Sequence, residues 1–379
     1  MIKKNKIMYL ITGLDTGGAE MQVYHLARKL IDNGIYEPVV VSMRDLGNVG
    51  NLMVESGIKT IPLNMNLGLS NLNFYKKISS IIKKEKICVI HAHMFHAILL
   101  GRMLKILHPK VKIISTIHSV DVGGKLREKL LRTTEWMSEI NTVISELSKK
   151  SLKNNNVISN KTITIPNGIE TSLFQYKESE RLIKRNDLGL NDEFIWLSVG
   201  RFHKVKNHEG LLLAFNQLIK QGIKTKLLLA GEGPLLASIK ELVNKLELNE
   251  HVLFLGLQND ICSIMSAADG FVMSSLWEGL PMVLLEAAST ELPIVATDVG
   301  GNREIIKHKE TGLLVNDNTH EELAKMMLEM MSYSEETRNG LKLKAKNWVE
   351  NNYSLDNIVN KWENIYDQYL QHDQGKSRY

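Results

Sequence analysis

The chain has 379 residues, 44% of them hydrophobic and 23% charged, which is too long for one ordinary core and too apolar for a disordered chain, so two globular domains are expected. Its net charge of +5 divides unevenly: residues 1–168 hold 24 Lys and Arg against 12 Asp and Glu, the remainder 23 against 30. A basic half implies an anionic contact, yet no zinc-finger spacing, RNP-like motif or aromatic–basic interleaving marks a nucleic-acid binder, and no nucleic-acid partner is expected.

The N-terminus MIKKNKIMYLITG sets lysines before an apolar run, as a signal peptide does. The run is short, lacks a small-residue cleavage site and enters a glycine-rich loop, so it reads as a first strand over 7–11. The loop from Gly13 to Glu20, with Gly17 and Gly18 at its centre, leads into a helix from about Ala19 to Asn33, closed by Gly34. A strand, glycine loop and helix in that order present amides and a positive helix end to an anion. The spacing is neither that of a dinucleotide fingerprint nor that of a P-loop, and the glycines could equally serve the turn alone.

Further strands are expected over 38–43, 59–63, 87–91, 112–117, 141–144 and 162–165, with helix-length connections between them. In the connection over 72–84, Phe74, Ile78, Ile81 and Ile82 share one helix face and lysines another; the pattern suits an anionic membrane surface or an ordinary solvated helix. His91, His93 and His96 cluster, and His118 follows the strand over 112–117. No HExxH motif or nearby Cys and carboxylate set accompanies them, so no metal is expected.

The hinge-like Ile165-Pro166-Asn167-Gly168 opens a polar segment through 177–191, read as the linker between domains. A second series of strands follows over 194–199, 226–230, 251–255, 270–273, 294–297 and 313–315. This alternation predicts an α/β chain of two doubly wound, Rossmann-like domains: 1–168, then about 190–353. A closing helix over 355–370 sets Ile358, Trp362, Ile365 and Tyr369 on one face. Ligands of open parallel sheets bind beyond the strands' carboxyl ends, so a site in a central cleft between the domains is expected.

Three motifs of the second half sit at such ends. Gly200-Arg201 and Lys206 flank the turn after the strand over 194–199; a guanidinium fork and an ammonium suit a diphosphate, though two solvated loop cations would read the same. Gly231-Glu232-Gly233-Pro234 makes a tight turn, which is architectural or meets a ligand. The stretch Ser275-Leu276-Trp277-Glu278-Gly279-Leu280-Pro281-Met282-Val283-Leu284-Leu285-Glu286 sets two carboxylates eight positions apart in apolar sequence. Pro281 suits a first helical position, which places Glu278 in the preceding loop and Glu286 in the second turn. The amides of Gly279, Leu280 and Met282 are then left for an anion. An acid that accepts two vicinal hydroxyls is the chemistry of ribose recognition. No DxD triplet for a nucleotide-bound metal is present.

These motifs, in this order over nearly the whole chain, resemble the retaining glycosyltransferases of family 4, with the Glu-x7-Glu motif as the most specific part. The resemblance implies the GT-B fold, a closing helix (about 354–372) that crosses back to an acceptor-side first domain, and a nucleotide-sugar donor domain over 190–353. Arg201 and Lys206 would bind the donor diphosphate and Glu286 the ribose. Glu278, Gly279, Leu280, Pro281 and Met282 would contact sugar and phosphate, with Gly200 and Gly231 beside them. Gly17 and Gly18 would approach the diphosphate or acceptor, and His118 would line the sugar site. No metal or other cofactor is implied.

The expected activity is transfer from a nucleoside-diphosphate sugar, UDP by preference, to a glycan acceptor, lipid-linked in O-antigen or capsule synthesis. A sugar-nucleotide 2-epimerase on the same scaffold and a non-catalytic sugar-nucleotide-binding protein are the alternatives. No apolar segment reaches the roughly 20 residues of a membrane-spanning helix, and Cys88 and Cys262, without a CxxC pattern, read as buried reduced thiols. A cytoplasmic protein is expected, peripheral at an anionic inner membrane face.

Overall fold

A computed structural model describes residues 4–15, 17–65, 72–119 and 122–374; residues 1–3, ahead of the first strand, and Thr16 of the first glycine loop lie outside them. The chain divides into two compact units, one of residues 1–168 with 355–379, the other of residues 169–354.

All thirteen expected strands are present. Unit one holds β1 (Asn5–Ile11), β2 (Tyr36–Ser42), β3 (Lys59–Pro62), β4 (Ile87–His93), β5 (Lys112–Ile117), β6 (Ile140–Val143) and β7 (Ile163–Thr164). They form one parallel sheet in the order β3-β2-β1-β4-β5-β6-β7. Unit two holds β8 (Phe194–Val199), β9 (Thr225–Ala230), β10 (Val252–Gly256), β11 (Gly270–Met273), β12 (Ile294–Thr297) and β13 (Leu313–Val315), parallel in the order β10-β9-β8-β11-β12-β13. Helices cover both faces, so strands such as β1 read as unbroken apolar runs: Ile7, Met8, Tyr9, Leu10 and Ile11 are all fully buried.

In each sheet the chain adds strands outward and then returns to the other side of its first strand. The reversal falls between β1 and β4 in unit one and between β8 and β11 in unit two. Diverging connections leave a crevice beyond the carboxyl ends of such a pair.

Four expectations need correction. The polar segment read as a linker contains the helix Glu178–Asp187, which packs inside unit two against the helix Ile261–Ala267. Its charges are used: Arg181 and Arg185 both donate to Asp269, at 2.5 and 3.1 Å, and Asp269 also accepts from the amide of Ile195. Unit two therefore begins at Ile169 instead of near 190. The closing helix spans Leu355–Gln374 and buries Leu355, Ile358, Val359, Trp362 and Tyr366 in unit one, whereas Ile365 and Tyr369 are only half-buried. The Tyr366 hydroxyl lies 2.8 Å from His91 Nδ1 and 3.2 Å from the Tyr9 hydroxyl, so a polar group sits inside that seam with its partners. Cys88 and Cys262 are free but half-buried.

Candidate functional site

In unit two the crevice between β8 and β11 collects the predicted residues. The chain leaves β8 at Gly200, whose amide donates to Ala230. Arg201 is exposed, while Phe202 turns fully inward and stacks on His208 with ring centroids 4.3 Å apart. This loop lies directly on the turn after β9. Gly231 has φ +137°, and a Cβ there would overlap the Gly200 carbonyl, so glycine is required for backbone to meet backbone. Gly231 thus holds the Arg201 loop in place.

Lys206 closes a short 3-10 turn, Lys204–Lys206, ahead of the helix His208–Lys220. Its ammonium donates to Glu278 Oε1 at 2.6 Å, and the Ser275 hydroxyl donates to the same oxygen at 2.7 Å. The segment after β11 is stitched to the Lys206 turn by the Ser274 hydroxyl, which donates to the carbonyls of Lys206 and Asn207, and by the Leu276 amide, which donates to Val205. The loop is backed from the other side by Gly300 and Gly301. Gly300, at φ +51°, leaves no room for a Cβ against the Glu278 carbonyl, and the Gly301 amide donates to Gly279.

Pro281 is the N-cap of the helix Met282–Ser289, one position earlier than expected. Its ψ of 116° is extended, so the helix begins at Met282. Among the described residues the amides of Gly279, Leu280 and Met282 donate no recorded hydrogen bond within the protein. The helix buries Leu284, Leu285, Ala287 and Ala288 and leaves Met282, Val283 and Glu286 half-buried on its other face. No partner is recorded for the Glu286 carboxylate among the described residues. Desolvation by the surrounding protein pushes its pKa up to about 7, although part of the residue's surface remains open.

Arg201, Lys206, Glu278, Gly279, Leu280, Pro281, Met282 and Glu286 thus occupy one crevice, with Gly200 and Gly231 supporting it. The sequence did not reveal that Lys206 and Glu278 are ion-paired, because 72 residues separate them. The pair gives a dual arrangement: a cation already held by one acid, a free guanidinium, open amides, and a second acid without a partner. Such a set can bind an anion and hydroxyls together.

Gly17, Gly18 and His118 belong to unit one. Gly17 is the N-cap of the helix Gly18–Asn33, and the space a Gly17 side chain would fill is taken by the Glu20 carboxylate. His118 follows β5; its Nε2 lies 2.9 Å from His93 Nδ1, and its Nδ1 is buried without a partner. Burial lowers its pKa to about 4, so it is neutral at pH 7. His91 lies against His93 with ring centroids 4.1 Å apart and the planes tilted by 34°, and it is hydrogen-bonded to Tyr366 and Thr116, so this cluster is a buried, packed and hydrogen-bonded group. Among the described residues no group of three or more His, Cys, Asp or Glu is placed to hold a metal ion.

His118 also lines a cavity of about 420 Å³ beyond the ends of β1, β4 and β5. Met94 forms part of its wall at φ +71°, a conformation that non-glycine residues rarely adopt and that costs on the order of 1–3 kcal/mol. Arg44 and Arg127 line it too, neither of them singled out from the sequence, together with His96 of the histidine cluster. No carboxylate partner is recorded for either arginine among the described residues; Arg127 lies over the Phe95 ring at 4.9 Å. The arginines come from connections 83 residues apart, so no local motif could have flagged them.

Two doubly wound units, the second with cations, open amides and acids at its strand reversal, form the class of Rossmann-type proteins built for phosphate-bearing ligands. The chain belongs to glycosyltransferase family 4: residues 16–173 match the model of "Glycosyltransferase Family 4" and residues 180–348 that of "Glycosyl transferases group 1". It is 28% identical over 316 residues to N-acetyl-alpha-D-glucosaminyl L-malate synthase of Bacillus anthracis, covering 80% of this chain and 81% of that protein. It is 26% identical over 314 residues to UDP-Gal:alpha-D-GlcNAc-diphosphoundecaprenol alpha-1,3-galactosyltransferase of Escherichia coli, covering 78% and 81%. The crystal structure of Anabaena Alr3699/HepE in complex with UDP superposes with a TM-score of 0.86 at 20% identity, covering 96% of this chain and all of that one. The chain has the GT-B fold and is a glycosyltransferase.

Proposed function

We propose that the chain is a retaining, metal-independent transferase that moves a sugar from a UDP-sugar to a lipid-linked glycan acceptor in bacterial surface polysaccharide synthesis. The observation that carries the reading is the crevice of unit two. Lys206 is paired with Glu278 in the loop whose next amides are open, Arg201 is exposed in the turn that ends β8, and no partner is recorded for Glu286 among the described residues. Glu286 would accept the ribose hydroxyls, Arg201 and Lys206 would hold the diphosphate, and Glu278 would position the sugar. As the bond from C1 to the diphosphate breaks, negative charge grows on the leaving phosphate, where fixed cations and amides lower the barrier most. The acceptor oxygen attacks C1 from the same face, and its proton passes to the leaving phosphate oxygen. UDP is favoured because the Anabaena structure holds UDP and the Escherichia coli relative is named for UDP-Gal.

Unit one supports an acceptor with an anionic group. Arg44 and Arg127 line one cavity, whose wall also holds Glu20, beside Gly17, and Asp15, beside Gly47. A diphosphate-bearing acceptor, as named for the Escherichia coli relative, has that character.

The test is a panel of nucleotide sugars offered with a polyprenyl-diphosphate sugar acceptor, read by release of nucleoside diphosphate and by NMR of the product. Transfer with the donor's anomeric configuration kept, undiminished by a chelator, is expected. Inversion, dependence on a divalent ion, or epimerisation without release of nucleotide would each overturn it.

A further inference from the structure

The helices Leu72–Glu85, Phe95–Leu107 and Lys125–Thr134 lie side by side over one face of the unit-one sheet. Their inner sides enter a single core through Ile78, Ile82, Ile98, Leu104 and Leu131. The apolar face noticed over 72–84 is therefore spent on the core, with Phe74 and Ile81 packed against it, and is not available to a membrane. The outer side of the layer is another matter. The first helix turns Lys76, Lys77, Lys83 and Lys84 to solvent on one stripe. None has a recorded ion pair among the described residues.

Next to that stripe the second helix ends in Met103, Ile106 and Leu107, with Ile106 61% exposed. The third helix exposes Leu126 (72%) and Leu130, one turn apart, and the 3-10 turn after it exposes Trp136 (77%). Lys125 and Lys129, each one residue ahead of one of those leucines, are exposed. Acids are few here: Glu85 and Glu135 are buried and ion-paired and Glu139 is paired with Lys105, which leaves Glu128, itself half-buried.

We propose that this three-helix layer is a docking face for the surface of an anionic lipid bilayer. Exposed Leu and Trp interleaved with unpaired Lys is the pattern of an interfacial helix: apolar groups enter the headgroup boundary while ammonium groups meet lipid phosphates. A protein partner would ask for mixed charge or a larger apolar patch, and this face offers a single sign. The layer also adjoins the acceptor cavity, since Leu126 is followed by Arg127 in the cavity wall. The argument rests on the proposed lipid-linked acceptor in that last respect alone.

The test is co-sedimentation of the full chain with vesicles of phosphatidylcholine alone or mixed with phosphatidylglycerol, at low and high salt. Two variants are compared: Leu126→Ser with Trp136→Ser, and Lys76→Ser with Lys77→Ser, Lys83→Ser and Lys84→Ser. Circular dichroism checks their folds, and Lys240→Ser with Lys245→Ser serves as a control in unit two. We expect binding to the anionic vesicles only, weakened about tenfold or more by each of the two layer variants and unaffected by the control. The lysine variant should lose most of the salt dependence. No binding of the wild type, or binding that survives both variants, would overturn the docking face. Turnover with a water-soluble acceptor is measured in parallel. Its loss in the wild type would count against the transferase reading and leave the docking face standing.

Discussion

At Glu286 a carboxyl without a recorded partner titrates near pH 7 because the surrounding protein desolvates it. Ribose hydroxyls are best held by its ionised form, so nucleotide-sugar binding draws a proton off. Donor affinity is expected to rise from pH 6 to pH 8, by up to about tenfold per unit below the pKa, and to be weak and flat in Glu286→Gln; titration calorimetry at several pH values checks this. The same group makes a stability prediction of fixed sign. Its folded pKa lies above the unfolded value of about 4.5, so the folded state holds the proton more tightly, and stability falls as pH rises from there towards 7. Glu286→Gln should therefore raise unfolding stability at pH 8 by about 1–2 kcal/mol, with the gain gone below pH 4.5. A neutral or destabilising effect at pH 8 in denaturant melts would contradict the desolvation account. Residues of this kind were legible because an acid in apolar sequence requires an explanation. Arg44 and Arg127 were not, since their meaning comes only from neighbours on other strand ends.

The helix Glu178–Asp187 shows how a polar segment can be structural. From the sequence its charges looked like those of a solvated linker; in the fold they converge on Asp269, which lies before β11 and joins Arg181, Arg185 and the amide that opens β8. Asp269→Ala would leave two arginines without their acid and one amide without its acceptor. A loss of about 2–3 kcal/mol in chemical denaturation of unit two is expected, with Asp269→Asn losing less because it still accepts from Ile195. Equal loss in both variants would mean that charge, not the hydrogen bond, carries the contact. The strands, by contrast, were legible in number and nearly in extent: parallel strands buried on both faces must be apolar at every position. The closing helix was found, but its centre of burial was misjudged by one residue, because Tyr366 carries a hydroxyl that only its partners Tyr9 and His91 make tolerable inside.

Across the whole molecule the two units have similar topology and opposite charge balance. Unit two carries the crevice with cations, amides and acids, and unit one carries the basic layer and the cavity lined by Arg44 and Arg127. The family and the fold could be recognised because the motifs are short and sit at strand ends in a fixed order. The acceptor's character could not, since a cavity wall and a helix layer draw single residues from many segments. The most direct test of the central claim is the release of nucleoside diphosphate from the preferred nucleotide sugar by wild type, Arg201→Ala and Lys206→Ala, with fold checked by circular dichroism. Each variant is expected to keep its fold and lose about 100- to 1,000-fold or more in turnover, the scale of removing a preorganised charge from a transition state. Near-wild-type turnover by either folded variant would contradict the assignment of this crevice as the donor site.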